Sequence, residues 1–224
     1  MTTKLPVLRD ALGLATSAVA ALLVLGAATA PAAAQDGDDG RPAVDEPAPA
    51  FALPDTHGEQ HSLEDYRGEW VVLEWLNYGC PYVQKHYESG NIPGQQERWT
   101  ERGVNWFAVV SSAPGKQGYY PADEMRERGE AFGVEADAIL LDPEGEVGRA
   151  YGARTTPHMF VIDPEGEVVY MGGIDDVPTA RIEDLERATQ LVDRALEQAL
   201  AGEEITRPTS RPYGCSVKYA DGEG

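Results

Sequence analysis

Cysteine is scarce in this chain. Its 224 residues hold two, Cys80 and Cys215, which leaves one possible intramolecular pairing. Lysine is scarcer than the total charge suggests. Only Lys4, Lys85, Lys116 and Lys218 are present among 18 basic residues, against 38 acidic ones, for a net charge of −20. So acidic a surface repels nucleic acid and anionic lipid, and both are excluded as partners. Much acid with little lysine is also compatible with a saline setting, where salt screens the repulsion, as well as with a merely well-solvated surface. No Gly-rich phosphate loop is present, so no nucleotide or other organic cofactor is implied. Beyond the N-terminus no apolar run is long enough to cross a membrane. No twin-Arg pair and no cysteine for lipid attachment follow the start of the chain.

The N-terminus is the exception to that polarity. Lys4 and Arg9 precede an apolar segment from Ala11 to Ala28, and Ala32-Ala33-Ala34 offers a small-residue cleavage site. Residues 1–34 therefore read as a secretory signal peptide, cleaved near Ala34 to release a periplasmic or extracellular protein. The alternative is an uncleaved anchor, since Ala11 to Ala30 nearly spans a bilayer. Cleavage would leave 16 basic and 37 acidic residues, a net charge of −21. Residues 35–49, QDGDDGRPAVDEPAP, read as an acidic linker.

From Phe51 the pattern becomes globular. FAL and EQHS flank the turn PDTHG as a small hairpin. Trp70 to Leu76 and Asn105 to Ser111 are buried strands. Residues 81–89 are helical, Gln95 to Arg102 forms a second short helix after a break at NIPG, and Pro121 opens a helix through Phe132. AILL from Ala138 is a strand, and MFVI with VVYM makes an antiparallel pair. DPEGEV occurs at Asp142 and again at Asp163, as turn chemistry used twice. Arg181 to Leu200 reads as one long helix on the spacing of Ile182, Leu185, Ala188, Leu191, Val192, Ala195, Leu196 and Ala199. The expected domain spans 50–201, followed by a tail, 202–224. The fold class is α/β: a central mixed sheet flanked by helices, early strands parallel, the last hairpin antiparallel.

The chemistry centres on NYGCPYVQKHY, Asn77 to Tyr87. A cysteine that starts a helix faces unpaired N–H groups and the positive end of the helix dipole, and both favour the thiolate. Pro81 suits the first helical position, and Lys85 and His86 add positive potential one turn on. The alternative is a buried, inert cysteine. Val83 stands where Cys-x-x-Cys would place its second cysteine, so no local disulfide forms.

The strand-Cys-Pro-helix unit from Trp70 to Tyr87, TTPHMFVID from Thr155 to Asp163, and the hairpin and helix that follow resemble the thioredoxin-like superfamily. Within it, the chain is similar to the bacterial redoxin or peroxiredoxin-like branch, related to alkyl hydroperoxide reductases, with a single active-site cysteine. The resemblance covers roughly residues 45–200 in element order. It implies a thioredoxin-like fold, a cis bond before Pro157 and Cys80 as nucleophile. It implies Thr156 and Pro157, with Tyr78, as the substrate-facing surface, on which an extended peptide adds as a strand. A turn that only shapes the domain is the alternative. Glu74, six residues before Cys80, corresponds to the buried acid of thioredoxins. Burial would raise its pKa and suit it to shuttle a proton. The alternative is a solvated Glu or one paired with an Arg. The peroxiredoxin signature departs here: Leu73 and Asn77 hold the positions that it gives to Pro and to Thr or Ser.

His158 reads as a core histidine with one backbone hydrogen bond. His57 and His61 read as surface residues, and no metal is expected; copper-delivery relatives use two cysteines near this helix. Cys215, in PYGCSVKY, looks like the tail cysteine of redoxin-like relatives with one active-site cysteine. From Gly202 to Cys215 there are 13 steps, about 40 Å when extended, while a 150-residue domain has a radius of gyration of about 15 Å. The tail can therefore reach Cys80, and Lys218 would lower the pKa of Cys215. Either Cys215 resolves a mixed disulfide on Cys80, or the bond is a fixed staple worth roughly 5 kcal/mol by loop closure. The expected function is an exported thiol-disulfide oxidoreductase acting on protein thiols and disulfides with an external electron donor. A peroxidase acting on small hydroperoxides and a non-catalytic binding module are the alternatives.

Overall fold

The structure is a computed structural model that describes residues 42–220. The expected signal peptide, the first part of the linker and residues 221–224 lie outside the described residues. A five-stranded sheet has the order β5-β4-β3-β7-β8. β3 (Trp70–Trp75), β4 (Val104–Val110) and β5 (Ala138–Leu141) run parallel, whereas β7 (Met159–Ile162) and β8 (Val168–Gly172) are antiparallel to their neighbours. This is the expected mixed sheet. Its central strands are almost continuously apolar because both faces are covered. One core layer holds Val72, Leu76, Cys80, Val83, Trp99 and Trp106, and the other Val71, Leu73, Trp75, Phe107 and Phe160. The alternation along β3 decides which side chains share a layer with Cys80.

The hairpin forms from β1 (Ala52–Pro54) and β2 (Gln60–Ser62). α1 (Pro81–Glu88) starts after Cys80 with proline in its first turn. α2 (Asn91–Thr100) begins earlier than expected, with NIPG inside its first turn. Pro93 is tolerated there because first-turn N–H groups have no helical acceptor. The break falls at Gly90, whose φ of 72° is left-handed. α3 (Ala122–Phe132) and α4 (Glu146–Ala150) complete the crossovers.

The long C-terminal helix is two pieces. A 3-10 turn covers Ile182–Arg187, the chain is extended at Ala188, and α5 runs from Leu191 to Leu200. Tertiary hydrogen bonds override the helical spacing: Leu191 N–H donates to Ile174 O, and Thr189 N–H to the Asp176 carboxylate. Ile182, the first residue of the apparent apolar stripe, is consequently exposed. At the other end, residues 42–49 of the stretch read as a linker are hydrogen-bonded to the β7–β8 hairpin, through Asp45 N–H to Val168 O and Ala48 N–H to Gly166 O. The tail also returns to the domain. β6 (Thr155–Thr156) pairs antiparallel with β9 (Cys215–Ser216), and Val217 and Tyr219 are buried. Among the described residues no helix is long and apolar enough to cross a membrane.

Candidate functional site

Cys80 caps α1. The turn before it is held by Asn77, whose side-chain oxygen accepts from Gly79 N–H and whose backbone oxygen accepts from Cys80 N–H. The Cys80 thiol donates to Thr156 O at 3.0 Å. That contact joins the two motifs seen in the sequence, 76 residues apart, into one site, and the bond between Thr156 and Pro157 is cis. Pro81 occupies the first helical turn.

The turn does not expose the cysteine. Cys80 is wholly buried, because the tail lies across the site. Cys215 stands opposite Thr156 in the β6–β9 ladder, so it pairs with the same residue whose carbonyl oxygen accepts from the Cys80 thiol, and it packs against the core layer that holds Cys80. Both cysteines are free thiols. Burial pushes the Cys215 thiol up to about 12, and the neighbouring Cys80 acts in the same direction. Lys218 acts in the expected downward direction but is the smallest influence; its ammonium is spent on Ser216 Oγ at 3.1 Å.

Glu74 shares the Cys80 side of β3 and is fully buried. No cation meets it in a salt bridge among the described residues. Its oxygens accept from Tyr87 Oη at 2.9 Å, Gln96 Nε2 at 2.9 Å and Trp106 Nε1 at 3.0 Å. Burial outweighs these three donors and raises the carboxyl to about 7.

Lys85 and His86 do not tune the thiol as a positive surface would. Both are buried. Lys85 Nζ donates to Asp175 Oδ2 at 3.2 Å, Val177 O at 3.3 Å and Tyr213 Oη at 3.1 Å. His86 Nε2 lies 3.1 Å from Tyr213 Oη, and burial, with the neighbouring Lys85 charge, lowers it to about 3, so the ring is neutral. Tyr78 is also displaced from its expected role. Its ring packs on Phe132 at 4.7 Å inside the core, out of reach of a surface-bound peptide.

His158 is a buried ring accepting from Arg154 N–H at 3.4 Å, lowered to about 3 chiefly by burial. His61 is not a surface residue: Nδ1 meets Tyr66 Oη at 2.6 Å and the ring packs on Phe107. It joins Asp55 and Glu59 in a group whose ligand-type atoms lie within 4.8 Å of one another. Asp55 Oδ1 there is already used by His57 N–H and Glu59 N–H, which closes the hairpin turn.

Asp175, Tyr213, Tyr87, Gln96 and Trp106 escaped the sequence reading. Tyr87 and Tyr213 carried a signal, the first closing the NYGCPYVQKHY motif and the second lying inside PYGCSVKY.

A cysteine at a helix start, set against a cis-proline loop on this sheet, defines a thioredoxin-like protein. The AhpC/TSA family model matches residues 44–171, and the chain belongs to that family. Two relatives are named thiol-disulfide oxidoreductase ResA. The one from Geobacillus thermodenitrificans (strain NG80-2) is 30% identical over 128 residues, 54% of this chain and 64% of the relative. The one from Geobacillus kaustophilus (strain HTA426) is 30% identical over 154 residues, 65% of this chain and 75% of the relative. The fold is shared with an uncharacterized conserved protein from Geobacillus kaustophilus, at a TM-score of 0.68 and 24% identity over 79% of this chain and 92% of that one. It is shared also with a hypothetical protein from Sinorhizobium meliloti 1021, at a TM-score of 0.67 and 22% identity over 80% and 96%.

Proposed function

We propose that the protein is an exported thiol-disulfide oxidoreductase of the branch with a single active-site cysteine, in which Cys215 replaces the missing second cysteine of Cys-x-x-Cys. The placement of Cys215 opposite Thr156, whose carbonyl oxygen accepts from the Cys80 thiol, carries this reading. The names of the two relatives support it, as does the position of Cys80 at the start of α1. Export rests on the sequence of residues 1–34.

The Cys80 thiolate attacks one sulfur of a substrate disulfide. A bond forms from Cys80 Sγ to that sulfur, and the other substrate sulfur leaves as a thiolate and takes a proton. Cys215, once deprotonated, attacks Cys80 Sγ and releases the second substrate thiol. The Cys80–Cys215 disulfide that results holds the two electrons' worth of oxidation taken from the substrate. An external dithiol returns the pair to the reduced state. The reverse sequence oxidises a substrate dithiol. Glu74, in the same core layer and raised to about 7, is the proposed acceptor and donor of the Cys215 proton. Thr156 and Pro157 form the surface on which the substrate strand lies.

Reduction of insulin disulfides and consumption of hydroperoxide, each measured for the wild type and Cys80→Ser, test the reading. Disulfide reduction that vanishes in Cys80→Ser is expected, and Cys215→Ser should accumulate the mixed disulfide. Peroxide consumption without disulfide reduction would make the chain a peroxidase. Activity in neither assay would leave a binding module.

A further inference from the structure

The tail does more than carry a thiol. Antiparallel pairing of Thr156 with Cys215 puts an extended segment of the chain on the edge where a substrate strand would add. Two residues earlier, Tyr213 drops its hydroxyl into a closed polar socket. Lys85 Nζ and His86 Nε2 each lie 3.1 Å from it, and Asp175 accepts its proton in a hydrogen bond. These three side chains are wholly buried on α1 and on the loop after β8.

The socket does not depend on Tyr213 for its own shape. Lys85 is also fixed by Val177 O at 3.3 Å, and Asp175 Oδ1 accepts from Val177 N–H at 2.9 Å. A buried charged pair is retained at a cost in desolvation. This one spends that cost on a phenol that arrives from far along the chain. Between anchor and thiol, Gly214 has a φ of 143°, and a Cβ there would overlap the Thr156 carbonyl oxygen. The register between the socket and Cys80 is therefore set by a Tyr-Gly-Cys sequence. A cavity of about 500 Å³, lined by Thr155, Asp175, Arg211 and Tyr213, adjoins the strand and leaves room for bulk on its outer side.

Resting on the reading above, we propose that the tail is a tethered surrogate of the substrate, and that the Lys85–His86–Asp175 socket is a specificity pocket. The favoured partner is an extended protein segment with a tyrosine two residues before the cysteine that Cys80 attacks. Such a segment must displace the tail, whose tethering gives it a local concentration on the order of millimolar. A hydroxyl that meets two buried charged groups and a neutral imidazole gives discrimination, because a side chain without it leaves each of those groups one hydrogen bond short.

The test is binding alone, with no redox step, so it is independent of whether the protein reduces disulfides. The full chain carrying Tyr213→Ala and Cys215→Ser is titrated with the synthetic peptide RPYGSSVKY and with analogues holding Phe or Ala in place of the first Tyr. Cooperative thermal unfolding verifies the fold, and the milder Tyr213→Phe with Cys215→Ser serves if the first variant fails it. The Tyr peptide should bind at least about tenfold tighter than the Ala analogue, with Phe between. The wild type, its site filled by its own tail, should bind the Tyr peptide at least about tenfold more weakly than the variant does. Equal binding of the Tyr and Ala peptides, or no binding to a folded variant, would overturn the proposal and leave the socket as a latch for the tail.

Discussion

Glu74 and Asp175 are both carboxylates wholly buried against α1, yet they live differently. Glu74 meets only neutral donors, from Tyr87, Gln96 and Trp106. Asp175 meets the ammonium of Lys85 and the phenol of Tyr213. The first environment leaves desolvation in charge and raises the acid to about 7. The second joins opposite charges and fastens the tail over Cys80. Burial alone therefore does not say what a carboxylate is for; its partners do.

The largest expected effect comes from breaking the charged pair. Lys85→Met strands a buried carboxylate and should lower the unfolding free energy by about 3–5 kcal/mol, measured by urea denaturation. Next comes the neutral site. Glu74 has a folded pKa above the ordinary 4.5, so its proton is held more tightly in the folded state. That contribution is complete below pH 4.5 and is lost as pH rises through about 7. Relative to Glu74→Gln, the wild type should lose roughly 3 kcal/mol of stability between pH 4 and pH 8. A parallel course for the two proteins would mean that Glu74 does not titrate as its setting dictates.

His86 sharpens the other side of the comparison with the opposite sign. Its folded pKa is lowered to about 3 from 6.5. Its stabilising contribution is present above pH 6.5 and is lost as pH falls towards 3. At pH 5 the loss should be about 2 kcal/mol, read as the difference between the pH–stability curves of the wild type and His86→Gln. The smallest effect belongs to an exposed pair. Glu197→Gln breaks the surface contact with Arg102 and should change the unfolding free energy by less than about 1 kcal/mol.

The mixed sheet and the order of its strands along the chain were legible because apolar runs and turn residues mark β3, β4, β5 and the β7–β8 hairpin with little ambiguity. Cys80, Pro157 and the burial of Glu74 were legible because each lies in a short local motif. The socket was not, since Lys85, Asp175 and Tyr213 are joined only by folding across 90 and 128 residues. Helical spacing misled at Arg181 to Gln190, where bonds to Ile174 and Asp176 outweigh it. It was also silent about the burial of Cys80, because the covering strand comes from the far end of the chain.

The central claim is that Cys80 finds its redox partner in Cys215. It is tested most directly by equilibrating the reduced protein with oxidised glutathione, quenching with acid and mapping the digest by mass spectrometry. The account predicts a linked Cys80–Cys215 peptide as the dominant oxidised species. A lasting glutathione adduct on Cys80 with Cys215 still free would contradict it.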